Sequence, residues 1–296
     1  MDSTAVRAAS VTIRISSPDA AAVSAGSAAG ASVGAAVSVT DLILPRAHGP
    51  SCGRFVRSRY GAGMTSKTSF LIDDGVAVLL LDDGKANAVG YDTLEAIDAA
   101  LETAEQDAGA LVISGREGRF SAGFDLSVIG EGPEAAQALV AAGARTAARI
   151  YGAQVPVVAA CTGHALAFGA IMLLSSDVRI GADVEAKIGL TEVSIGMPLP
   201  IFAIELARDR LSPRHFTAAT SLATVFSPRG AVEAGYLDEV VAAEDLHEAA
   251  LERAGALAGH VRRTAFGLTR RTTREETIDR ILSTLDEDIK SFGVLD

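Results

Sequence analysis

Two short stretches carry groups that could do chemistry together. Pro156-Val-Val-Ala-Ala-Cys-Thr-Gly-His164 is an apolar run rich in valine and alanine, bounded by Pro156 and Gly163, and it predicts a buried strand. A turn of small residues from Gly163 to Ala170 then leads into Ile171 to Leu174, which predicts the start of a helix. A strand-turn-helix junction leaves main-chain N–H groups without intrahelical partners and aims them at one spot, where they can hold a developing negative charge. Further on, Glu192 stands among Leu190, Val193 and Ile195. A lone carboxylate in apolar company has its pKa raised toward the working range of a general base. The competing role for Glu192 is structural, as a helix N-cap partner or in an ion pair with Arg208 or Lys187.

Other elements must position this pair of stretches. Phe70-Leu-Ile, an Asp73-Asp-Gly75 turn and Val76 to Leu81 predict a β-hairpin. The loop Asp82 to Val89 follows, then a helix over Tyr91 to Glu105 with Leu94, Ile97 and Leu101 on one face. Ala110 to Ser114 predicts a second buried strand, and Gly115 to Leu126 a glycine-rich loop. Pro133 to Tyr151 is alanine-rich and helical, and Ser176 to Ile180 is a further strand. Residues 200 to 222 and 228 to 235 predict helices, Leu237 to Val241 a short strand, and Glu244 onward mostly helix. Strands and helices interleave up to about residue 200 and helices dominate afterwards, an α/β pattern with a helical tail.

Composition narrows the partners. The 296 residues are 49% hydrophobic, enough for a sizeable core, and the net charge of −11 leaves no basic face for nucleic acid. No run has the length and character of a membrane span, because serine and glycine dilute residues 20 to 39. Cys52 and Cys161, the only cysteines, lie in unlike surroundings, so a disulfide scaffold is not expected and a reducing, cytoplasmic setting is. Residues 1–63 are rich in alanine, serine and glycine, then in proline, arginine and glycine. They are expected to be a disordered extension, with Met64 as the natural start and a signal peptide the lesser alternative. The Gly30-Ala-Ser-Val-Gly34 match to a hydrolase nucleophile motif has no strand before it and no helix after it, so it is a chance hit. No phosphate or dinucleotide glycine motif and no histidine set for a metal stands out.

Three loops, Lys85-Ala-Asn-Ala88, Ser121-Ala-Gly-Phe-Asp125 and Gly163 to Gly169, occur in order with Ser176-Asp-Val-Arg179, Glu192-Val-Ser-Ile-Gly-Met197 and Ala234-Gly-Tyr-Leu-Asp-Glu-Val-Val241. As a set they resemble the crotonase, or enoyl-CoA hydratase/isomerase, family from Ser69 to about Val241. The resemblance implies a crotonase-like spiral of ββα units over residues 64–200, then a helical region over 201–296 that takes part in assembly. It implies an acyl-CoA thioester substrate, with coenzyme A part of that substrate and no separate cofactor. It also implies a homotrimer or dimer of trimers.

Carried across residue by residue, the resemblance makes the N–H groups of Phe124 and Phe168 the oxyanion donors. Each such donor contributes about 3 kcal/mol of transition-state stabilisation. Lys85, Ala86, Ala88, Ser121, Ala122, Gly123, Asp125, Leu126 and Gly169 become the expected contacts to substrate and coenzyme A. For Asp125 the alternative is fixing its own loop, for Lys85 a solvent-facing position, and for His164 a satisfied structural role. The family has small residues at both donor positions, so the two phenyl rings here either narrow the acyl pocket or belong to the core. Glu192 matches the second of the family's two glutamates, whereas Ile171 stands where the first would be. Hydration uses a carboxylate pair, but moving a double bond from the 3 to the 2 position needs one base. The implied activity is therefore enoyl-CoA isomerisation, with hydration and a catalytically inactive acyl-CoA binder as the alternatives.

Overall fold

The computed structural model describes residues 67–291. The expectations for residues 1–63, for Met64 and for Cys52 lie outside the described residues. The chain opens with β1 (Thr68–Asp73) and β2 (Val76–Leu81), an antiparallel hairpin. Its turn residues Asp74 and Gly75 both have positive φ, 44° and 77°, the geometry that an Asp-Gly pair supplies to a two-residue hairpin. The short β3 (Ala88–Val89) and helix α1 (Tyr91–Asp107) follow, then β4 (Ala110–Gly115), β5 (Gly118–Ser121) and β6 (Gly123–Phe124). Helices α2 (Leu126–Ile129) and α3 (Pro133–Gly152) lead to β7 (Val157–Cys161), β8 (Gly163–Leu166) and α4 (Phe168–Ser175). Next come β9 (Val178–Ala182) and β10 (Ile188–Gly189), then α5 (Ile201–Arg210), α6 (Phe216–Ala219) and α7 (Pro228–Ala234). The strand β11 (Glu239–Val241) and the helices α8 (Leu246–His260) and α9 (Arg263–Asp288) complete the order.

Six strands form the main sheet in the order β1-β2-β4-β7-β9-β11, parallel except for the hairpin. Side chains alternate across it with a period of two. Leu111, Ile113, Val157 and Ala159 join the core under α1, α3 and α4, whereas Ala110, Val112, Val158, Ala160 and Ile180 face the other way. That second face is covered by Leu246, Ala250 and Ala254, one stripe of α8.

The second, smaller sheets are what turn this layer into a spiral. At its end β4 gives way to β5, β7 to β8 and β9 to β10, and these three continuations pair in parallel in the order β10-β8-β5. The pair β3-β6 lies beside them. The ββα spiral is present as expected, and the region after residue 200 also supplies β11 to the main sheet.

Two predicted boundaries shift. The helix expected over residues 200 to 222 is broken into α5 and α6 at Leu211 to Pro213, because a proline donates no N–H and disfavours helical backbone before it. The strand expected from Ser176 begins at Val178, since Ser176 caps α4 with its N–H on Leu173 O.

The long, largely polar α9 is held both by an apolar stripe, Ile278, Ile281 and Leu285, that reaches the core and by charge. Asp177 accepts from Val157 N (2.8 Å) and pairs with Arg270 (2.6 Å) and Arg274 (3.0 Å). Arg270, itself buried, also donates to Ala153 O at 2.7 Å. Asp177→Ala should leave a buried guanidinium without its counter-charge and cost about 3–5 kcal/mol, read as a lowered midpoint in urea unfolding.

Candidate active site

The loops singled out in the sequence meet at one end of the small sheets, and Asn87 ties them together. Its buried side chain donates to Leu81 O (2.8 Å), Arg119 O (3.0 Å) and Phe120 O (3.2 Å) and accepts from Asp83 N (3.0 Å). Ser121 Oγ donates to Asn87 O at 2.8 Å and accepts from Gly123 N at 3.2 Å. Ala122 N donates to Ala86 O at 3.0 Å. The loop from Lys85 to Ala88 is therefore sewn to the strand ending in Phe124. Gly169 lies against the same strand, since a Cβ there would fall 2.4 Å from Ser121 O.

Phe168 is the first residue of α4, so its N–H has no partner within the helix. The direction of this N–H is set by Ala167, which has φ 50° and ψ −120°, a conformation natural to glycine and strained for alanine. Ala167 N donates to Gly189 O and Ile171 N to Ala167 O, which hold the turn. Phe124 lies on β6, whose only ladder partner is β3. Asp125 N donates to Val89 O on that partner. Successive N–H groups along a strand point to opposite edges, so the Phe124 N–H faces away from β3. Gly123 (φ 99°) packs against the α4 turn, where a Cβ would fall 3.4 Å from Phe168 N and 2.8 Å from Ala167 Cβ. The two amides assigned as donors thus belong to the end of β6 and the first turn of α4, which pack against each other.

Their rings stack on each other at 4.5 Å between centroids. Phe168 is wholly buried in the core and Phe124 is half-buried against it. Gly143 of α3 makes the space, since a Cβ there would lie 2.4 Å from the Phe124 ring. Phe168 is a core side chain, its ring stacked on that of Phe124.

Glu192 follows β10, the strand paired with β8 just before the α4 turn. It is 8% exposed and its Oε2 has no hydrogen-bond partner among the described residues. Burial pushes its pKa up to about 7, opposed by the main-chain N–H groups of Glu192 itself and Thr191. No side-chain cap is made at this position, Arg208 pairs instead with Glu205 at 3.9 Å, and no Lys187 pair is formed. The sequence neighbours do not supply the apolar setting expected of them: Val193 and Ile195 are 41% and 63% exposed. Leu190 alone of the three is fully buried. Ile171 is buried in α4 and brings no second acid.

The remaining predicted residues divide clearly. Lys85 and Ala122 are exposed, Ala86 and Ala88 are half-buried, and Leu126 is 74% exposed. Asp125 Oδ1 accepts from Ser127 N (2.9 Å) and Ser127 Oγ (2.6 Å), which hold its pKa below the ordinary carboxylate value. It caps α2 and fixes its own loop. His164 Nδ1 accepts from Lys187 N at 2.9 Å, a structural role, and burial, then the charges of Arg119 and Lys187, lowers its pKa. Cys161 is a buried free thiol with its pKa pushed up to about 12 by burial. Among the described residues no group of His, Cys, Asp or Glu could hold a metal ion, and no helix is long and apolar enough to cross a membrane. Sequence reasoning did not single out Asn87, Ala167 or Tyr236 as site residues. The one available signal for Asn87 was a lone amide in an otherwise small-residue loop.

A spiral of ββα units with crossing loops, a helix-start amide and a buried carboxylate defines an enzyme of the crotonase fold. The family model described as enoyl-CoA hydratase/isomerase matches residues 72–293, and the chain belongs to that family. A solved structure of an enoyl-CoA hydratase/isomerase family protein from Pseudomonas syringae is 40% identical, with a TM-score of 0.74, covering 76% of this chain and 98% of that one. The human mitochondrial enoyl-CoA delta isomerase 1 is 29% identical over 226 residues, 74% of each chain. A probable enoyl-CoA hydratase of Bacillus subtilis is 33% identical over 199 residues, 64% of this chain and 74% of its own.

Two stability changes follow from this geometry. Ala167→Gly should relieve the strained turn and raise stability by up to about 1 kcal/mol after glycine's own entropic cost, read by thermal unfolding. Glu192 keeps its proton in the folded state up to about pH 7, whereas the unfolded chain releases it near the ordinary carboxylate value. Stability therefore falls as the pH rises through that window. Glu192→Gln should leave stability unchanged near pH 4 and raise it by about 2–3 kcal/mol near pH 8, measured by denaturant unfolding at both.

Proposed function

We propose that this enzyme moves the double bond of a 3-enoyl-CoA thioester to the 2 position, with Glu192 as its single base. The ionised carboxylate takes a proton from C2 of the substrate. The C–H electron pair shifts toward the carbonyl, and the thioester oxygen gains negative charge that the N–H groups of Phe124 and Phe168 hold. The same carboxyl then returns its proton to C4 as the electron pair moves back, the double bond now lying between C2 and C3. No water is consumed and no second acid is required.

The observation that carries this reading is a buried Glu192 whose Oε2 has no hydrogen-bond partner among the described residues, with the buried aliphatic Ile171 at the position of the family's other acid. Its pKa of about 7 suits a group that must both accept and return a proton. The loops around Lys85, Ala86, Ala88, Ser121, Ala122, Gly123, Leu126 and Gly169 are proposed to border the thioester and coenzyme A. For Ser121 that contribution is made by backbone, because its hydroxyl is committed to Asn87 and Gly123. Assembly as a homotrimer or dimer of trimers in a reducing cytoplasm completes the proposal. The assembly is supported by the exposed Leu268 and Leu282 on α9.

The test supplies purified protein with a 3-enoyl-CoA and, separately, a 2-enoyl-CoA. Conjugation is followed by absorbance and hydration by the mass of added water. Conversion of the first without hydration of the second is the expected result, and Glu192→Gln should lower kcat about a thousandfold. Preferential hydration would assign the alternative hydratase activity, and tight binding without either conversion would assign an acyl-CoA binder.

A further inference from the structure

Tyr236 is wholly buried, and its phenol oxygen is one of the few buried side-chain atoms with no hydrogen-bond partner among the described residues. Glu192 Oε2 is another. Backbone pairing brings together the segments that carry these two atoms. Ile188 and Phe226 exchange main-chain bonds, Ile188 N to Phe226 O at 2.9 Å and Phe226 N to Ile188 O at 2.8 Å. The Tyr236 ring lies 5.9 Å from the Phe226 ring, so it is set beside the segment that runs from β10 into Glu192. Burial raises the pKa of the phenol, the Leu190 N–H opposes this, and the charge of Glu192 adds to the rise. The phenol's proton is left without an acceptor among the described residues.

We propose that Tyr236 is a positioning residue for the base: its O–H donates to Glu192 Oε2 once the carboxylate is ionised and restricts the rotation of the group. The inference rests on the reading of Glu192 as the base. A carboxylate that takes a proton at C2 and returns it at C4 must reach both carbons without turning its charge toward solvent. A fixed phenol on Oε2 restricts rotation of the group and favours its ionised form. No charged side chain competes for this role, because the influences on Glu192 are burial and the two main-chain N–H groups. His215 approaches only through Phe226, ring to ring at 6.0 Å.

The sign of the effect is fixed. A hydrogen bond donated to the ionised form lowers the pKa, so its removal raises the pKa further. Tyr236→Phe keeps the ring and removes only the O–H. The acid limb of its kcat/KM profile for a 3-enoyl-CoA should move up by about one pH unit. The rate should fall about fivefold near pH 7 and recover near pH 9. A second measurement uses the unaltered side chain. In the wild-type protein the Tyr236 ring resonance in an NMR titration should shift with the same midpoint as the acid limb, and in Glu192→Gln that titration should vanish. An unmoved acid limb, a loss equal at every pH, or a Tyr236 resonance that ignores the limb's midpoint overturns the proposal. The two readings fail separately. Turnover retained by Glu192→Gln removes the base itself, whereas turnover lost there with an unmoved limb in Tyr236→Phe removes only the role of Tyr236.

Discussion

A carboxylate withdrawn from water without a counter-charge is an unstable thing to build, and the arrangement around Glu192 is organised by that fact. Desolvation raises its pKa to about 7, and among the described residues nothing neutralises its Oε2. An ion pair at the same position would have stabilised the charge and lowered the pKa out of the range useful to a base. The fold supplies what keeps the group in place: the β8-β10 ladder, the Ala167 N to Gly189 O bond and the closed core behind α4. Stability lost at one side chain is spread over contacts made elsewhere, as is common where function needs a destabilised group.

The second requirement of the proposed reaction is rigidity in the main-chain dipoles. Main-chain N–H groups stabilise charge well only when they need no reorientation as it develops. Asn87, Ser121 and the strained Ala167 turn fix the two loops before any ligand arrives. Because the proposed donors are backbone groups, the side chains beyond them are free to vary within what the core can hold. Two phenylalanines are accommodated where small residues are usual, because Gly143 yields the volume their stacked rings occupy. The chemistry is thus decoupled from the side chains that carry its residue numbers.

Much of the fold was legible along the chain. Apolar runs of strand length, helical stripes such as Leu94, Ile97 and Leu101, and the Asp-Gly hairpin turn are local signals, and each appears in the structure near its expected limits. The ends of elements were less legible, because caps and breaks depend on single residues such as Ser176 and Pro213. The small sheets were invisible as strands: β3, β6 and β10 are two residues long, too short for any periodicity. Asn87 looked like a loop residue because its importance lies in carbonyl groups more than thirty positions away.

By itself, the sequence determined which chemistry was affordable: one acid at position 192, an isoleucine at 171, and a strand-turn-helix junction whose amides must go unsatisfied. These depend on residue type and local backbone, which sequence states directly. Only the tertiary structure decided how that acid is kept from water. Its neighbours Val193 and Ile195 are exposed, yet Glu192 itself is buried, so its burial is set by the packing of the fold and not by the residues beside it in the chain. Desolvation is set by everything that surrounds a group in space, and a chain read in order shows only two of those sides.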